Sequence, residues 1–412
     1  MKEKLFTKNF TLLVMGQASS LFGNYILRLA LSMYVLETTG SAAVFAGILS
    51  VAAIPAILLS PLGGILADRA DRRNIMVALD ALTGLAVFGA AVILPGNHAL
   101  FVIGALLVTL SVFGAFETPT VQACIPQMLT GDNIIRGNAV VNQVASVSYL
   151  TAPLLGGILY AAVGLKPVMF ASVFCFFATA SFEWFIQLGR QPESGQGRLL
   201  TMVKNDFSDS VRFMAKERPE IMKLLLLAAL SRFFVMGIAM VGIPFIVRTI
   251  LGLDARYYGG AESALAVATI LGSIGAGLLT GKLKMEKLWL VLAAIGICII
   301  PAGIVFLFPL GAVFRYVVNV AAFCGMQAAI SIFSIFAVSM IQQNTPDHLL
   351  GKVMSYTSAV TMCAQPVGQM VYGFLFYRCR EAVFLVLIPT GVIVAVIGVG
   401  ARRRFGKLGN SW

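Results

Sequence analysis

The sequence predicts an all-α membrane protein with twelve transmembrane helices in two bundles of six. Of its 412 residues, 59% are hydrophobic and only 12% are charged, whereas a soluble domain carries about 25% charged residues. Apolar windows of about 20 residues, long enough to cross hydrocarbon as a helix, occur twelve times. They lie at 10–36, 42–66, 74–94, 99–123, 139–163, 167–188, 223–250, 259–281, 288–308, 311–341, 353–377 and 382–400.

A polar stretch at 189–222 separates the sixth window from the seventh and sets the predicted domain boundaries. We expect an N-terminal six-helix bundle at 1–189, a linker at 190–222 and a C-terminal six-helix bundle at 223–412. Apolar residues in the linker recur at helical spacing, which indicates an amphipathic helix lying on the membrane surface. Span 5 and span 11 each contain a proline at an equivalent place, and such repeated halves are typical of secondary transporters.

The basic residues set the predicted orientation. With both termini cytoplasmic, 22 Lys and Arg residues lie on the inner side and five on the outer side, which is the bias of multi-pass proteins. The net charge of +12 therefore reflects topology in a bacterial inner membrane, not nucleic-acid binding. Six cysteines without a C-x-x-C pair and two histidines predict no metal or cofactor site. No nucleophile and base are spaced as in an enzyme.

A charged turn joins spans 2 and 3, and it reads Gly64-Ile65-Leu66-Ala67-Asp68-Arg69-Ala70-Asp71-Arg72-Arg73. Its acids and arginines cannot lie in hydrocarbon, so the turn is expected at the cytoplasmic surface. The segment resembles the loop signature of the major facilitator superfamily, G-x-L-A-D-R-x-G-R-R, with Asp71 where the family has glycine. This resemblance implies the twelve-helix fold of that superfamily and alternating access, in which two bundles rock around a midplane cavity.

The same resemblance assigns a cytoplasmic gate to this turn. Asp80 lies one to two turns into span 3, and we expect it to pair with Arg72 or Arg73 and help to hold the gate shut. The predicted gate residues are Gly64, Asp68, Arg69, Arg72, Arg73 and Asp80.

Polar residues form stripes along several spans. In span 1, Ser20, Asn24 and Arg28 are spaced by four and share one helix face. Because polar side chains are costly against lipid, such a stripe is expected to face a water-filled cavity; hydrogen bonding between helices is the alternative. The predicted substrate-cavity residues are Gln17, Ser20, Asn24, Arg28, Asn142, Arg232, Asn319, Gln327 and Gln365.

Three charged residues lie too deep in their spans to reach bulk water, namely Arg28, Glu117 and Arg232. A carboxyl group in apolar surroundings can bind and release protons near neutral pH, so Glu117 is the candidate for proton coupling. The alternative is a structural ion pair of Glu117 with Arg28 or Arg232. Glu183, beside Trp184 at the end of span 6, is expected near the inner surface.

Span 5 contains Ser148-Tyr149-Leu150-Thr151-Ala152-Pro153-Leu154-Leu155-Gly156-Gly157. This segment resembles the antiporter signature of the superfamily, G-x-x-x-G-P-x-x-G-G, with Ser148 and Ala152 replacing the leading glycines. In the family the signature marks exporters rather than importers. Its bend is assigned here to Pro153, Gly156 and Gly157, where small residues allow helices to approach closely.

A narrower resemblance connects the chain with the bacterial macrolide-efflux-like branch of the superfamily. It is carried by Gly16-Gln17, Ser20, Gly23, Leu29-Ala30-Leu31, Thr39-Gly40-Ser41, Phe116-Glu117-Thr118-Pro119, Gln122-Ala123 and Pro126. That branch often has an acid where Asn24 stands here; if that acid carries a proton in relatives, this chain either uses another group or is not driven by protons. The branch includes exporters of drugs, siderophores and other amphiphiles.

We therefore expect a monomeric secondary transporter that exports amphiphilic small molecules by proton antiport. Its partners would be the substrate, protons and the lipid bilayer, with no cofactor. One alternative is an exporter of an anionic metabolite such as a siderophore or lysophospholipid, favoured by two deep arginines against one deep acid. The other is a non-transporting membrane sensor, which would be expected to carry a sizeable soluble domain.

Overall fold

A computed structural model describes residues 5–94, 98–188, 214, 218–279 and 287–410. Over these residues, helices follow the predicted spans in order. The helices of the first half are α1 (Lys8–Thr39), α2 (Ala42–Arg69), α3 (Arg72–Ile93), α4 (Ala99–Met128), α5 (Asp132–Val163) and α6 (Leu165–Trp184). Those of the second half are α7 (Pro219–Ile250), α8 (Ala255–Leu279), α9 (Leu288–Ile304), α10 (Ala312–Gln343), α11 (Asp347–Arg378) and α12 (Phe384–Asn410).

Eleven helices in the described part of the chain are long and apolar enough to cross a membrane. They confirm the expected multi-pass, all-α membrane protein. Helix α11 is 32 residues long but is not among the eleven, because polar residues recur along its middle; a twelfth span stays a prediction. The predicted amphipathic linker helix falls mostly outside the described residues, which include only Met214 and 218–222 of that stretch.

The turns between helices explain several element boundaries. Gly40, Gly131, Gly164 and Gly252 have φ angles of 59°, 54°, 76° and 66°, in the region that glycine enters without a steric penalty. Asp71, which replaces the family glycine, is the N-cap of α3, and its side chain accepts a hydrogen bond from the Asn74 N–H at 3.3 Å. The departure from the signature therefore satisfies a free amide at the start of the helix.

Helix α7 changes its winding in its second half. Ile238–Gly242 and Ile246–Ile250 form π-helical turns on either side of Ile243–Phe245. Pro244 lies between the two turns and has no N–H to donate to the preceding turn. Loss of one regular hydrogen bond is compatible with the wider winding that π-helical turns provide.

The described residues belong to two compact units. Unit 1 draws on 1–39, 51–195 and 254–263, and unit 2 on 40–50, 196–253 and 264–412. In unit 1, α1 packs against α5 and α6, and α3 packs against α4 and α6. In unit 2, α9 packs against α10 and α12, and α7 packs against α10 and α11.

An apolar cluster fills one end of unit 1 and joins α1, α3, α4 and the residues after α6. Its fully or nearly fully buried members are Phe10, Leu13, Met76, Val121, Cys124, Ile125, Leu129 and Ile186. Asp80 and Glu117 of the candidate site lie one helical turn from Met76 and Val121, and Gln17 lies one turn from Leu13.

Candidate functional site

Three acids of unit 1 come together around Ser20 of α1. The Ser20 hydroxyl lies 3.0 Å from Asp80 Oδ1 on α3 and 3.3 Å from Glu117 Oε1 on α4. The carboxyl groups of Asp80 and Glu183, the latter on α6, are in hydrogen-bonding contact. Asp80 is 2% exposed and Glu183 is 0% exposed. We refer to Ser20, Asp80, Glu117 and Glu183 as the carboxyl cluster.

Close packing of α1 on α6 brings these groups together. The Thr179 hydroxyl donates to the Gly16 carbonyl oxygen at 3.1 Å, and the Ser172 hydroxyl donates to the Gly23 carbonyl oxygen at 3.1 Å. A methyl group added at Gly23 would lie 2.9 Å from the Cβ atom of Cys175, which is shorter than real Cβ contacts. Small residues on α1 therefore let α6 approach closely enough for Glu183 to reach the cluster.

Gln17 completes the surroundings of Glu117. Its side chain is 7% exposed and lies beside the Glu117 carboxyl group. Its Nε2 atom is buried without a hydrogen-bond acceptor among the described residues. The predicted stripe residues Gln17 and Ser20 therefore contact carboxyl groups inside unit 1.

The expected pairing of Asp80 with a gate arginine is wrong. Asp80 binds Ser20 and contacts Glu183, and its Oδ2 atom has no donor among the described residues. At about 1.5 Å per residue, it lies ~12 Å along α3 from Arg72, beyond the reach of that side chain. Asp80 belongs to the carboxyl cluster rather than to the charged turn.

The two described gate arginines bind backbone carbonyl groups near helix ends. Arg72 Nε donates to the Ala67 oxygen of α2 at 2.7 Å, and Arg72 Nη1 donates to the Ala123 oxygen of α4 at 2.6 Å. Arg73 donates to the Trp184 oxygen, and its guanidinium lies 5.2 Å from the centre of the Trp184 ring. Such contacts place cations where helix dipoles are negative. The side chains of Gly64, Asp68 and Arg69 lie outside the described residues.

The outer part of the α1 stripe has a different environment. Arg28 Nε donates to Asn24 Oδ1 at 2.7 Å, and the Arg28 side chain is exposed. Arg28 is also an electrostatic neighbour of Glu117. The alternative in which Glu117 forms an ion pair with Arg28 is therefore not seen as a direct contact. Arg28 acts on Glu117 from a longer distance, and Ser20 makes the direct hydrogen bond to Glu117.

Aromatic side chains lie next to the Asn24–Arg28 pair. The rings of Tyr25 and Tyr149 are 5.6 Å apart and tilted by 64°, an edge-to-face arrangement. Glu262 and Tyr258, on the first turns of α8 that belong to unit 1, are in hydrogen-bonding contact, and Glu262 is an electrostatic neighbour of Tyr149. Aromatic, amide and charged groups thus alternate along this face of unit 1.

The remaining predicted cavity residues have mixed environments. Asn142 of unit 1 and Arg232 of unit 2 have exposed side chains. In unit 2, Asn319 is 4% exposed and lines a small cleft between α7 and α10 with Phe323 and Val247. Its Nδ2 atom donates to a backbone oxygen of its own helix at 2.9 Å, and its Oδ1 atom has no donor among the described residues.

Gln327 instead joins two helices of unit 2. Its Nε2 atom donates to Thr269 Oγ1 of α8 at 3.0 Å, and the hydroxyls of Ser273 and Ser331 lie 3.0 Å apart. For Gln327, the alternative of hydrogen bonding between helices therefore applies, rather than the lining of a water-filled cavity. Gln365 is half-buried on α11.

The antiporter-like segment lies where α5 meets two other helices of unit 1. A methyl group at Gly156 would lie 3.2 Å from the Ile26 Cα atom of α1, and one at Gly157 would overlap the Ala255 carbonyl oxygen. The Pro153 oxygen would likewise collide with a methyl group at Gly259. These glycines thus permit backbone-to-backbone contact of α5 with the start of α8.

The sequence did not predict that Glu183 belongs to the carboxyl cluster. Its place near the end of span 6 predicted a position near the inner surface, but both carboxyl oxygens are buried and meet no donor among the described residues. The signal was an acid inside an otherwise apolar helix, which is costly without a partner. Tyr258 and Glu262 were also missed as neighbours of Tyr149, because their proximity depends on the packing of α8.

Comparison with known proteins supports the family and the fold. A protein-family model described as Major Facilitator Superfamily matches residues 13–369 of this chain. Macrolide efflux protein A of Streptococcus pyogenes is 25% identical over 394 residues, covering 93% of each chain. The multidrug efflux pump Tap of Mycolicibacterium fortuitum is 23% identical, covering 92% of this chain and 91% of its own. The crystal structure of the nucleoside transporter NupG superposes with a TM-score of 0.71 at 12% identity, covering 96% of this chain and 99% of that one.

Proposed function

Because the chain belongs to the major facilitator superfamily, we propose that it exports amphiphilic small molecules across a bacterial inner membrane in exchange for protons. Alternating access is the mechanism that we propose for this exchange. Both curated relatives named above are efflux proteins by name, one for macrolides and one for multiple drugs. Their coverage of more than nine-tenths of this chain favours the same class of activity.

The exposed face of unit 1 suits an amphiphile. Tyr25 and Tyr149 offer apolar ring surface with a hydroxyl at the edge, and Asn24 and Arg28 offer hydrogen-bond donors beside them. Binding sites for small molecules typically combine apolar and aromatic walls with few polar groups. We assign substrate contact to these four residues.

One observation carries the proposal of proton coupling: the direct partner of Glu117 is the Ser20 hydroxyl, with the Gln17 amide beside it, and not a cation. A hydroxyl and an amide can each donate to an ionised carboxylate or accept from a protonated one. The site therefore accommodates either charge state, whereas an arginine in contact would hold the carboxylate ionised. In this proposal Glu117 takes the role of the acid that members of the macrolide-efflux-like branch often have at the position of Asn24.

Transport into proteoliposomes tests both parts of the proposal. Purified protein would be reconstituted and challenged with labelled macrolides and cationic dyes, with and without an imposed pH gradient. We expect gradient-dependent accumulation in the wild type, and in Glu117→Gln we expect loss of that dependence with substrate exchange retained. Asp132→Asn, which neutralises an exposed acid at the start of α5, is the matched control and should behave as the wild type. Accumulation by Glu117→Gln at the full wild-type gradient dependence would remove Glu117 from the mechanism.

A second candidate function is export of an anionic amphiphile. The exposed guanidinium groups of Arg28 and Arg232 favour it, since neither makes an ion pair within the part of the chain that the structure describes. Competition of anionic against cationic amphiphiles for binding separates the two functions. Stronger competition by the anions, lost in Arg28→Gln, would support the second function over the first.

A further inference from the structure

We propose that Asp80 and Glu183 are further proton-binding residues, and that Ser20 relays the proton of Glu117 to them on its way to the inner side. This inference rests on the proposed proton coupling and names the groups through which it proceeds. The relay consists of Glu117, Ser20, Asp80 and Glu183, in that order.

A count of hydrogen-bond donors indicates that the cluster holds protons. The Ser20 hydroxyl has a single hydrogen but contacts two carboxyl groups, those of Asp80 and Glu117. The contact between Asp80 and Glu183 has no hydrogen at all when both groups are ionised. Asp80 Oδ2 and both Glu183 oxygens are buried without a donor among the described residues. One proton shared by Asp80 and Glu183 converts this repulsive contact into a hydrogen bond.

The side chain of Gln17 independently indicates that Glu117 changes its protonation state. Its amide lies beside Glu117, yet the buried Nε2 atom has no acceptor among the described residues. The amide can turn either its oxygen or its nitrogen towards the carboxyl group. It can therefore follow a change in the protonation of Glu117 at little cost, which a group fixed in a structural hydrogen bond could not do.

The charged surroundings favour protons over a metal ion. No group of His, Cys, Asp and Glu within the described ranges is arranged to hold a metal ion. The charged and titratable neighbours of the cluster are Arg28 on α1, which acts on Glu117, and Cys124 on α4, which lies near Glu183; Asp71 and Arg72 at the start of α3 are neighbours of the Cys124 thiol. Of these, Arg28 acts on Glu117, the acid furthest from Glu183 along the relay.

The depths of the three acids give the relay a direction. At about 1.5 Å per residue, Glu117 lies ~16 Å from the end of α4, and Asp80 lies ~12 Å from the start of α3. Glu183 is in the last turn of α6. With the predicted orientation, these ends face the cytoplasm, so the relay runs from the deepest acid to the shallowest one. Arg73 and Trp184 lie next to its shallow end.

Each transfer conserves protons. Glu117 gives its proton to Ser20 Oγ across 3.3 Å while Ser20 passes its own hydroxyl proton to Asp80 Oδ1 across 3.0 Å. Glu117 becomes ionised, Asp80 becomes protonated and the serine is unchanged. The Asp80–Glu183 pair then holds one proton in excess, and Glu183, which is buried in this structure, releases one proton to water when the proposed alternating access opens the inner side.

Infrared difference spectroscopy of substrate-free protein tests the shared proton directly. At neutral pH the carbonyl band of protonated carboxyl groups should lose a component in Asp80→Asn and in Glu183→Gln. Asp132→Asn should leave the band unchanged. Because no substrate is present, this result does not depend on what the protein transports. If both cluster variants keep the complete wild-type band, the shared proton is refuted.

The relay is tested by variants of Ser20. Ser20→Ala removes the bridging hydroxyl, and we expect proton-coupled transport in proteoliposomes to slow by roughly tenfold. Ser20→Thr restores a hydroxyl and should recover most of the rate. Ser19→Ala is the matched control, since Ser19 donates at 2.9 Å to a backbone oxygen of α6 and contacts no carboxyl group of the cluster. Equal rates for Ser20→Ala and Ser19→Ala would overturn the relay.

Failure of the inference and failure of the proposed function give different results. Transport without any dependence on the pH gradient, together with a carboxyl band lost in Glu183→Gln, would refute proton antiport and keep the shared proton. Gradient-dependent transport with an unchanged band in both acid variants would refute the shared proton and keep antiport through Glu117. The Ser20 variants retain their meaning even if Asp80→Asn does not fold.

Discussion

The contact between α5 and the first turns of α8 should be sensitive to a single methyl group at Gly157. In a helix interior, replacing glycine by alanine normally stabilises by about 1 kcal/mol. At Gly157 the new methyl group would overlap the Ala255 carbonyl oxygen, and Gly259 lies 3.3 Å away on the same helix. Overpacking of a tight interior costs about 1–3 kcal/mol, and both neighbours here are backbone atoms that cannot rotate away.

The net effect of Gly157→Ala is therefore a destabilisation of up to about 2 kcal/mol, after the helix-propensity gain of about 1 kcal/mol is subtracted. Gly104→Ala is the matched control, because Gly104 is inside α4 and a methyl group there meets no atom within 4 Å. The control should gain about 1 kcal/mol. The two variants should thus differ by about 1–3 kcal/mol, or about 1–3 °C in apparent melting temperature for a chain of 412 residues.

The measurement is thermal unfolding of detergent-purified protein, followed by tryptophan fluorescence at a fixed heating rate because membrane proteins often unfold irreversibly. Transport by the same variants in proteoliposomes shows whether the weakened contact also slows the cycle. Equal melting temperatures for Gly157→Ala and Gly104→Ala, with transport at the wild-type rate, would show that this contact is unimportant for stability and for turnover.

Three further contacts can be tested through the same unfolding measurement. Asp71→Ala should cost about 1 kcal/mol as a lost N-cap, whereas Asp71→Gly, the residue of the family signature, should cost only a few tenths. Tyr372→Phe in α11 should cost about 1 kcal/mol, because it leaves the buried Thr390 hydroxyl of α12 unpaired, while Tyr377→Phe on the exposed face of α11 should be neutral. A double-mutant cycle of Gln327→Leu with Thr269→Val should give a coupling of about 0.6 kcal/mol; no coupling would mean that the 3.0 Å hydrogen bond contributes nothing.

Hydrophobic windows predicted the order and placement of the helices, because the bilayer selects apolar stretches of sufficient length. They were less accurate where helices extend into polar sequence. Helix α5 begins at Asp132 rather than at 139, because its first turns are polar and outside the apolar window. Helix α6 ends at Trp184 rather than at 188. Helix geometry does not need apolar residues at a surface, so a hydropathy criterion misses the first turns of α5. At α6 the error is the opposite, because the apolar Phe185, Ile186 and Leu188 continue past the end of the helix.

The candidate site could be predicted only in part. The spacing of Ser20 on α1 was visible in the sequence, but its partners Asp80 and Glu117 lie 60 and 97 residues further along the chain. Only packing of α1 against its neighbours reveals that these acids meet. The periodicity of polar residues also does not distinguish a helix face that lines a water-filled cavity from one that packs on a neighbouring helix. Gln327 was therefore predicted to line a cavity, whereas it forms a hydrogen bond between two helices.

Helix α1 connects the two chemical functions that we assign to unit 1. Ser20 and Asn24 are four residues apart on one face, so the proton site and the amphiphile face are about one helical turn apart. Arg28 responds to the charge of Glu117, so protonation of Glu117 strengthens the attraction of this region for an anion and weakens it for a cation. A cationic substrate and a proton therefore compete, which is the condition for exchange in opposite directions. An anionic substrate would instead bind better with the proton present, and the sign of the pH effect on binding thus distinguishes the two proposed functions.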